Sequence, residues 1–340
     1  MRIFIALFFA CGVAFAKINV SVSIIPQAYF VEKIAGDRAE VNIMVQKGKS
    51  PETYEPGVKE LQNLSKSQLY FNIGMPFENA WMKRFVGVNP NMKIVPPLKD
   101  GELEKYNADF AKNAQDAKNK QGPQNKQDAQ NPKVAHENHK NHENRENHAN
   151  HEHHANHEHH ANHEHHETNH ANHANHANHN HNLAHIWLSF VLSQAHARQI
   201  SEAFCEVDSA NCAIYEANLE ILLKEISDLY AHFKGVFKGK GGAFLVYHPA
   251  FLHLANELGL SEFSIEVDGK DAKIAHTHEI FEIIKKHKIK SIFIQPQFSS
   301  KNATIIANEA NLAVKTADPL AKNWSENIAE FLKEVAKDNE

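Results

Sequence analysis

From residue 18 onward the chain alternates between short apolar runs and longer stretches with apolar residues at helical spacing. The apolar runs 18–25, 41–45, 69–73 and 93–95 read as strands. Between them, 27–35, 57–66 and 76–86 read as helices, the first closed by Gly36. The alternation returns later, with strands expected at 243–247, 262–265, 291–294 and 313–316. Helices are expected there at 250–258, 275–287, 301–310 and 321–336. A repeated strand-then-helix series is the mark of a parallel sheet covered by helices. The expected fold class is therefore α/β: two lobes, each a four-stranded, mainly parallel sheet with helices on both faces, and a cleft between them.

A different pattern separates the two series. Tyr215, Leu219, Leu222, Ile226, Leu229 and Phe233 recur at alternating steps of four and three, with Glu, Lys and Asp elsewhere. That spacing predicts one amphipathic helix from about 209 to about 234, within a linker at 209–236, roughly 39 Å long at 1.5 Å per residue. Such a helix can lie along the backs of both lobes, and its stiffness argues for small closure of the cleft. The expected division is an N-terminal lobe at 17–208, this linker helix, and a C-terminal lobe at 237–340.

The pattern fails over 113–182, a low-complexity stretch with no apolar side chain larger than alanine after Val134. It cannot build a core and is expected to stay disordered. Eighteen of the chain's 26 histidines fall within 136–181. They come in units: His151, His153 and His154 are repeated as His157, His159 and His160, and the unit begins again at His163, His165 and His166. Neutral imidazole is a good ligand for zinc, copper, nickel and iron. A dense run of it is expected to hold several ions loosely; the plainer reading is a solvated linker that drifted into a simple repeat.

At the start of the chain, Met1-Arg2, an apolar run over 3–10 and Ala14-Phe15-Ala16 read as a secretory signal at 1–16, cleaved after Ala16. Export to the periplasm follows. Cys11 raises the alternative of a lipoprotein, which Phe8-Phe9-Ala10 fits poorly. Cleavage leaves Cys205 and Cys212, an even number in an oxidising compartment, separated by a turn containing the good helix caps Asp208 and Ser209. A disulfide is expected there rather than a metal pair, because two lone thiols do not close a zinc site. The formal charge of −5 gives no reason to expect a nucleic-acid partner.

Ligands of open parallel sheets bind at the carboxyl ends of the strands. Glu52, His248 and Asp318 follow expected strands, and His185 stands at the far end of the insert, where a helix is expected to start. Two imidazoles and two carboxylates, two from each lobe, suit Zn²⁺, whose bonds to N and O donors are about 2.0–2.2 Å. Any one of the four, taken alone, reads more simply as a structural residue.

Longer stretches add to this. Gly48-Lys49-Ser50-Pro51-Glu52-Thr53-Tyr54-Glu55-Pro56, then Leu64-Ser65-Lys66-Ser67-Gln68-Leu69 and Gly74-Met75-Pro76-Phe77-Glu78, occur in order. His185-Ile186-Trp187-Leu188, Tyr215-Glu216-Ala217-Asn218 and Tyr247-His248-Pro249-Ala250-Phe251 follow. Ile294-Gln295-Pro296-Gln297-Phe298-Ser299 and Asp318-Pro319-Leu320 complete the set. From about 18 to 333 the chain resembles the ZnuA-type solute-binding proteins of bacterial zinc ABC importers. The resemblance implies a monomeric, non-enzymatic protein that captures Zn²⁺ in the periplasm and delivers it to an inner-membrane ABC permease. It carries ligand roles to His185 and His248, with Asp318 as a carboxylate. A His-rich insert at this point is itself a family trait, implying a collector or sensor of zinc.

Departures from the family pattern are specific. Glu52 stands where the family has its first metal histidine, Leu183-Ala184 replaces an Asp-Pro, and Phe190 stands where a proline is usual. Two carboxylates weaken the choice of zinc over manganese, whereas the imidazole-rich insert favours zinc. The alternatives are a manganese-binding relative and a periplasmic metal buffer that uses the insert alone. A hydrolytic metal enzyme finds no support, since neither Gly-x-Ser-x-Gly nor His-Glu-x-x-His occurs.

Overall fold

A computed structural model describes residues 16–98, 185–266, 274–299 and 301–340. The expected signal segment before Ala16 and the His-rich insert lie outside the described residues. The N-terminal lobe runs β1 (Ile18–Val22), α1 (Ile25–Ala35), β2 (Ala39–Ile43), α2 (Val58–Leu64), β3 (Leu69–Phe71), α3 (Pro76–Val88) and β4 (Lys93–Val95). After the insert come α4 (Phe190–Val207) and the linker α5 (Cys212–Phe237). The C-terminal lobe runs β5 (Ala243–Val246), α6 (Leu252–Leu258), β6 (Ser261–Ser264), α7 (Ile274–His287) and β7 (Ser291–Ile294), then α8 (Lys301–Glu309), β8 (Ala313–Thr316) and α9 (Trp324–Asp338).

Both sheets are wholly parallel and share one topology, β2-β1-β3-β4 and β6-β5-β7-β8. The strands β3 and β5 are buried along their whole length, as parallel strands covered on both faces must be. The edge strand β2, which pairs only with β1 among the described strands, is less buried and carries Glu40 and Asn42. Boundaries moved where local chemistry is stronger than periodicity. The first strand stops at Val22 because Pro26 fits the first turn of α1 and favours starting the helix there. The helix expected at His185 begins only at Phe190, after a 3₁₀ turn Ile186–Leu188. Ser189 caps it, its Oγ accepting the Leu192 amide at 2.9 Å. The last helix starts at Trp324 rather than 321, leaving a loop that carries Asp318.

The linker helix is 26 residues long, with Tyr215, Leu222, Ile226 and Phe233 buried. It packs on α1 and α4 of one lobe and on α6 and α9 of the other. At its foot Cys205 and Cys212 form a disulfide that ties the end of α4 to the start of α5.

One apolar core runs through both lobes, from Val20 and Phe71 past Tyr215 to Phe244, Phe331 and Trp324. A smaller cluster around Leu245, Ile265 and Ile292 lies on the other face of the second sheet. Polar contacts stitch the same seam. Trp324 packs 5.4 Å from Phe30, and its Nε1 donates to the Trp187 carbonyl at 2.5 Å. Trp187 in turn donates from Nε1 to the Pro319 carbonyl at 2.7 Å. Glu257, on α6, accepts from the Phe190 and Val191 amides at 2.8 and 3.1 Å, so a carboxylate of one lobe caps a helix of the other. Glu225 of the linker bridges Lys33 at 2.8 Å, and Tyr29 meets Ser325 at 2.7 Å.

Candidate metal centre

The carboxyl ends of the two sheets face each other across a small cleft, lined by Ser50, Glu52, His185, Trp187, His248 and Leu320 among others. Glu52 comes from the loop after β2, where its amide donates to Ser50 Oγ at 3.3 Å. His185 immediately precedes the 3₁₀ turn, and burial of Ile186, Trp187 and Leu188 fixes where that turn sits. His248 follows β5 by two residues. One ligand atom each from Glu52, His185 and His248 lies within 4.8 Å of the others. Both histidines are buried, and their ring centroids are 5.4 Å apart. The cleft encloses about 10 Å³, room for about one water-sized sphere. That suits a single ion.

His248 is the most constrained of the three. Its amide donates to Gln295 Oε1 at 3.0 Å, and Gln295 Nε2 donates back to the His248 carbonyl at 2.7 Å. Phe298 stacks on its ring at 4.5 Å. Its Nδ1 meets Glu266 Oε2 at 2.9 Å, and its Nε2 meets Glu52 Oε1 at 3.2 Å. Burial pulls the imidazole's pKa down, but hydrogen bonds and charge from Glu266 and Glu52 outweigh it and lift the value to about 9. In the metal-free chain His248 is thus an imidazolium held between two carboxylates. Close by, burial pushes Glu262 up to about 7, while the Ala250 and Phe251 amides donate to its Oε1 at 3.1 and 2.8 Å.

Asp318 does not join the group of three. It stands at the end of β8 as expected, but its Oδ1 already accepts from Gln297 Nε2 at 2.7 Å and from the Leu320 amide at 2.9 Å. Three residues of this centre carry no role in the sequence reading: Glu266, Gln295 and Phe298. The last two lie within a stretch that resembles the family, yet the pattern alone gives them no task. Glu266 sits eighteen positions beyond His248 and in no motif. The one other three-donor group among the described residues, Cys205, Cys212 and Glu216, is closed by the disulfide.

Comparisons with known proteins agree with this architecture. The chain is 28% identical over 139 residues to the high-affinity zinc uptake system protein ZnuA of Bacillus subtilis, covering 40% of this chain and 44% of that protein. It is 24% identical over 317 residues to the zinc-binding lipoprotein AdcA of Streptococcus pneumoniae, covering 89% of this chain and 50% of AdcA. The chain thus spans about half the length of the curated relatives it matches. A crystal structure of ZnuA superposes with a TM-score of 0.68 at 26% identity, covering 95% of this chain and all of that one. The family model for ZnuA, the periplasmic zinc-uptake complex component A, matches residues 20–338, and on that match this chain belongs to the ZnuA family.

Proposed function

We propose that this chain captures Zn²⁺ in the cleft between its lobes and delivers it, in the periplasm, to the inner-membrane permease of an ABC importer. The observation that carries this reading is the convergence of Glu52, His185 and His248, from loops of both lobes, in a buried space the size of one ion. Two imidazoles and a carboxylate form a zinc-type donor set. Asp318 enters the proposal as a fourth donor, its Oδ1 oriented by Gln297 and the Leu320 amide. The histidines of 136–181 serve as a low-affinity collector. No described helix is long and apolar enough to cross a membrane, in keeping with a binding component that works beside a permease.

Zinc titration of the full chain and of a chain lacking 136–181 tests the reading. The shortened protein is expected to keep one tight zinc equivalent and to lose only the weak ones. Loss of all tight binding on deletion overturns the proposal in favour of a buffer that uses the insert.

Glu52 gives a second test, because it stands where relatives have a histidine. Glu52→Gln keeps the shape and removes one negative charge, and zinc affinity is expected to fall about tenfold, or about 1.4 kcal/mol. Glu52→His is expected to preserve zinc binding and to worsen that of the harder manganese. Calorimetric affinities for both metals decide it. If Glu52→Gln stays within about twofold of the parent, about 0.4 kcal/mol, the carboxylate does not touch the ion.

A further inference from the structure

We infer that Glu266 is a positioning residue for metal capture, one that acts only through His248 by holding its Nδ1 and turning Nε2 into the cleft. The inference rests on the zinc-binding reading above and adds a residue that neither the sequence motifs nor the donor cluster contains.

Two contacts of His248 engage a ring nitrogen, Glu52 at Nε2 and Glu266 at Nδ1; Glu52 is itself a proposed ligand, which leaves Glu266 as the partner outside the donor group. The Gln295 side chain clamps the backbone on both sides, at 3.0 and 2.7 Å. Phe298 lies nearly parallel to the ring, with an interplanar angle of 20°, and fixes its plane. Neither contact distinguishes the ring from its flipped counterpart, in which the two nitrogens exchange sides with carbon. Glu266 does. Its carboxylate is 4% exposed and 2.9 Å from Nδ1. A buried carboxylate at that point demands an N–H donor, so Nδ1 must carry a proton and the remaining lone pair of a neutral ring must lie on Nε2. Nε2 is the atom that faces Glu52 across the cleft. The Glu266 backbone is held as well: its amide donates to the Tyr247 carbonyl at 2.9 Å, and its carbonyl accepts from Ser264 Oγ at 3.0 Å.

The strand that leads to Glu266 also braces the loop after His248. Glu262, in β6, accepts from the Ala250 and Phe251 amides, so a half-buried and a buried carboxylate four residues apart fix the backbone that follows the histidine and its ring. Carboxylate–histidine–metal arrangements of this kind typically change affinity 10–100-fold, about one to two powers of ten, when the carboxylate is lost.

The test is a double-mutant cycle in zinc affinity on the full chain, read by calorimetry. Glu266→Ala is expected to weaken the tight zinc equivalent by about 10- to 100-fold. Glu266→Asp, with the carboxylate one methylene further back, is expected to recover part of the loss. In a His248→Ala background, Glu266→Ala is expected to cost nothing more, and at most to relieve repulsion between the Glu52 and Glu266 carboxylates, because a residue that acts through another has no favourable effect once that other is gone. An additional loss in that background assigns Glu266 a general structural role and overturns the inference. So does an affinity for Glu266→Ala that matches the parent. If the parent itself holds no tight zinc, the functional reading fails first; a parent that binds tightly while Glu266→Ala is silent removes Glu266 alone. The Co²⁺-loaded chain supplies a second readout: Glu266→Ala is expected to shift its visible absorption bands, and unchanged bands count against an altered ligand orientation.

Discussion

Replacing His248 with alanine is expected to lower zinc affinity at least about 100-fold, a loss of about 3 kcal/mol. Three effects combine. The substitution removes an imidazole donor and empties the space between Phe298 and the Gln295 clamp. It also removes the group that lies between Glu52 and Glu266, 3.2 Å from one carboxylate and 2.9 Å from the other. Two carboxylates left facing each other without an intervening positive group repel, so the emptied site relaxes away from its binding geometry. His185→Ala loses a bond as well but leaves that ion pair intact, so its effect is expected to be smaller. Calorimetric titration of the purified variants checks both, with thermal melting to show that they fold. Unchanged affinity for His248→Ala sinks the assignment of the cleft as the tight site.

Zinc affinity is expected to rise about tenfold for each pH unit between pH 6 and pH 8, because an ion bound at His248 has to displace its proton. The sign follows from the direction of the shift. The imidazole titrates near 9 in the metal-free fold, raised from 6.5. Across neutral pH the empty site therefore holds a proton that metal cannot share. The same shift stabilises the metal-free fold below the unfolded value, and that stabilisation fades as the pH climbs through about 9. Binding at pH 7 is expected to release about one proton per zinc from this group. Titrations in two buffers of different ionisation enthalpy measure it directly. The chain lacking 136–181 is the one to use, since the insert's histidines titrate near 6.5 on their own account. An affinity flat across this range shows that His248 is already neutral when the ion arrives.

How far the site was legible depends on how each residue is held. The α/β alternation and the linker helix could be read because burial imposes a period. Tyr215, Leu222, Ile226 and Phe233 mark one face of α5, and that face is buried. Glu52, His185 and His248 could be picked out because parallel sheets send functional groups to the carboxyl ends of their strands. Asp318 has the same kind of address but a different set of bonds. The Gln297 side-chain amide and the Leu320 backbone engage one of its two oxygens, Oδ1, and no rule of spacing reveals which way a carboxylate turns. Glu266 was invisible for the opposite reason. It reads as one more acid at the end of a half-exposed strand, and only pairing of β5 with β6 carries it alongside the His248 loop. The start of α4 also escaped periodicity, since a carboxylate from the other lobe, Glu257, helps to set it.

The shared core has a kinetic consequence. Trp324, Glu257 and the linker helix bind the lobes along one seam, so spreading them apart to let an ion out would expose buried aromatic surface and strip a helix of its cap. Escape by that route has a barrier comparable with partial unfolding.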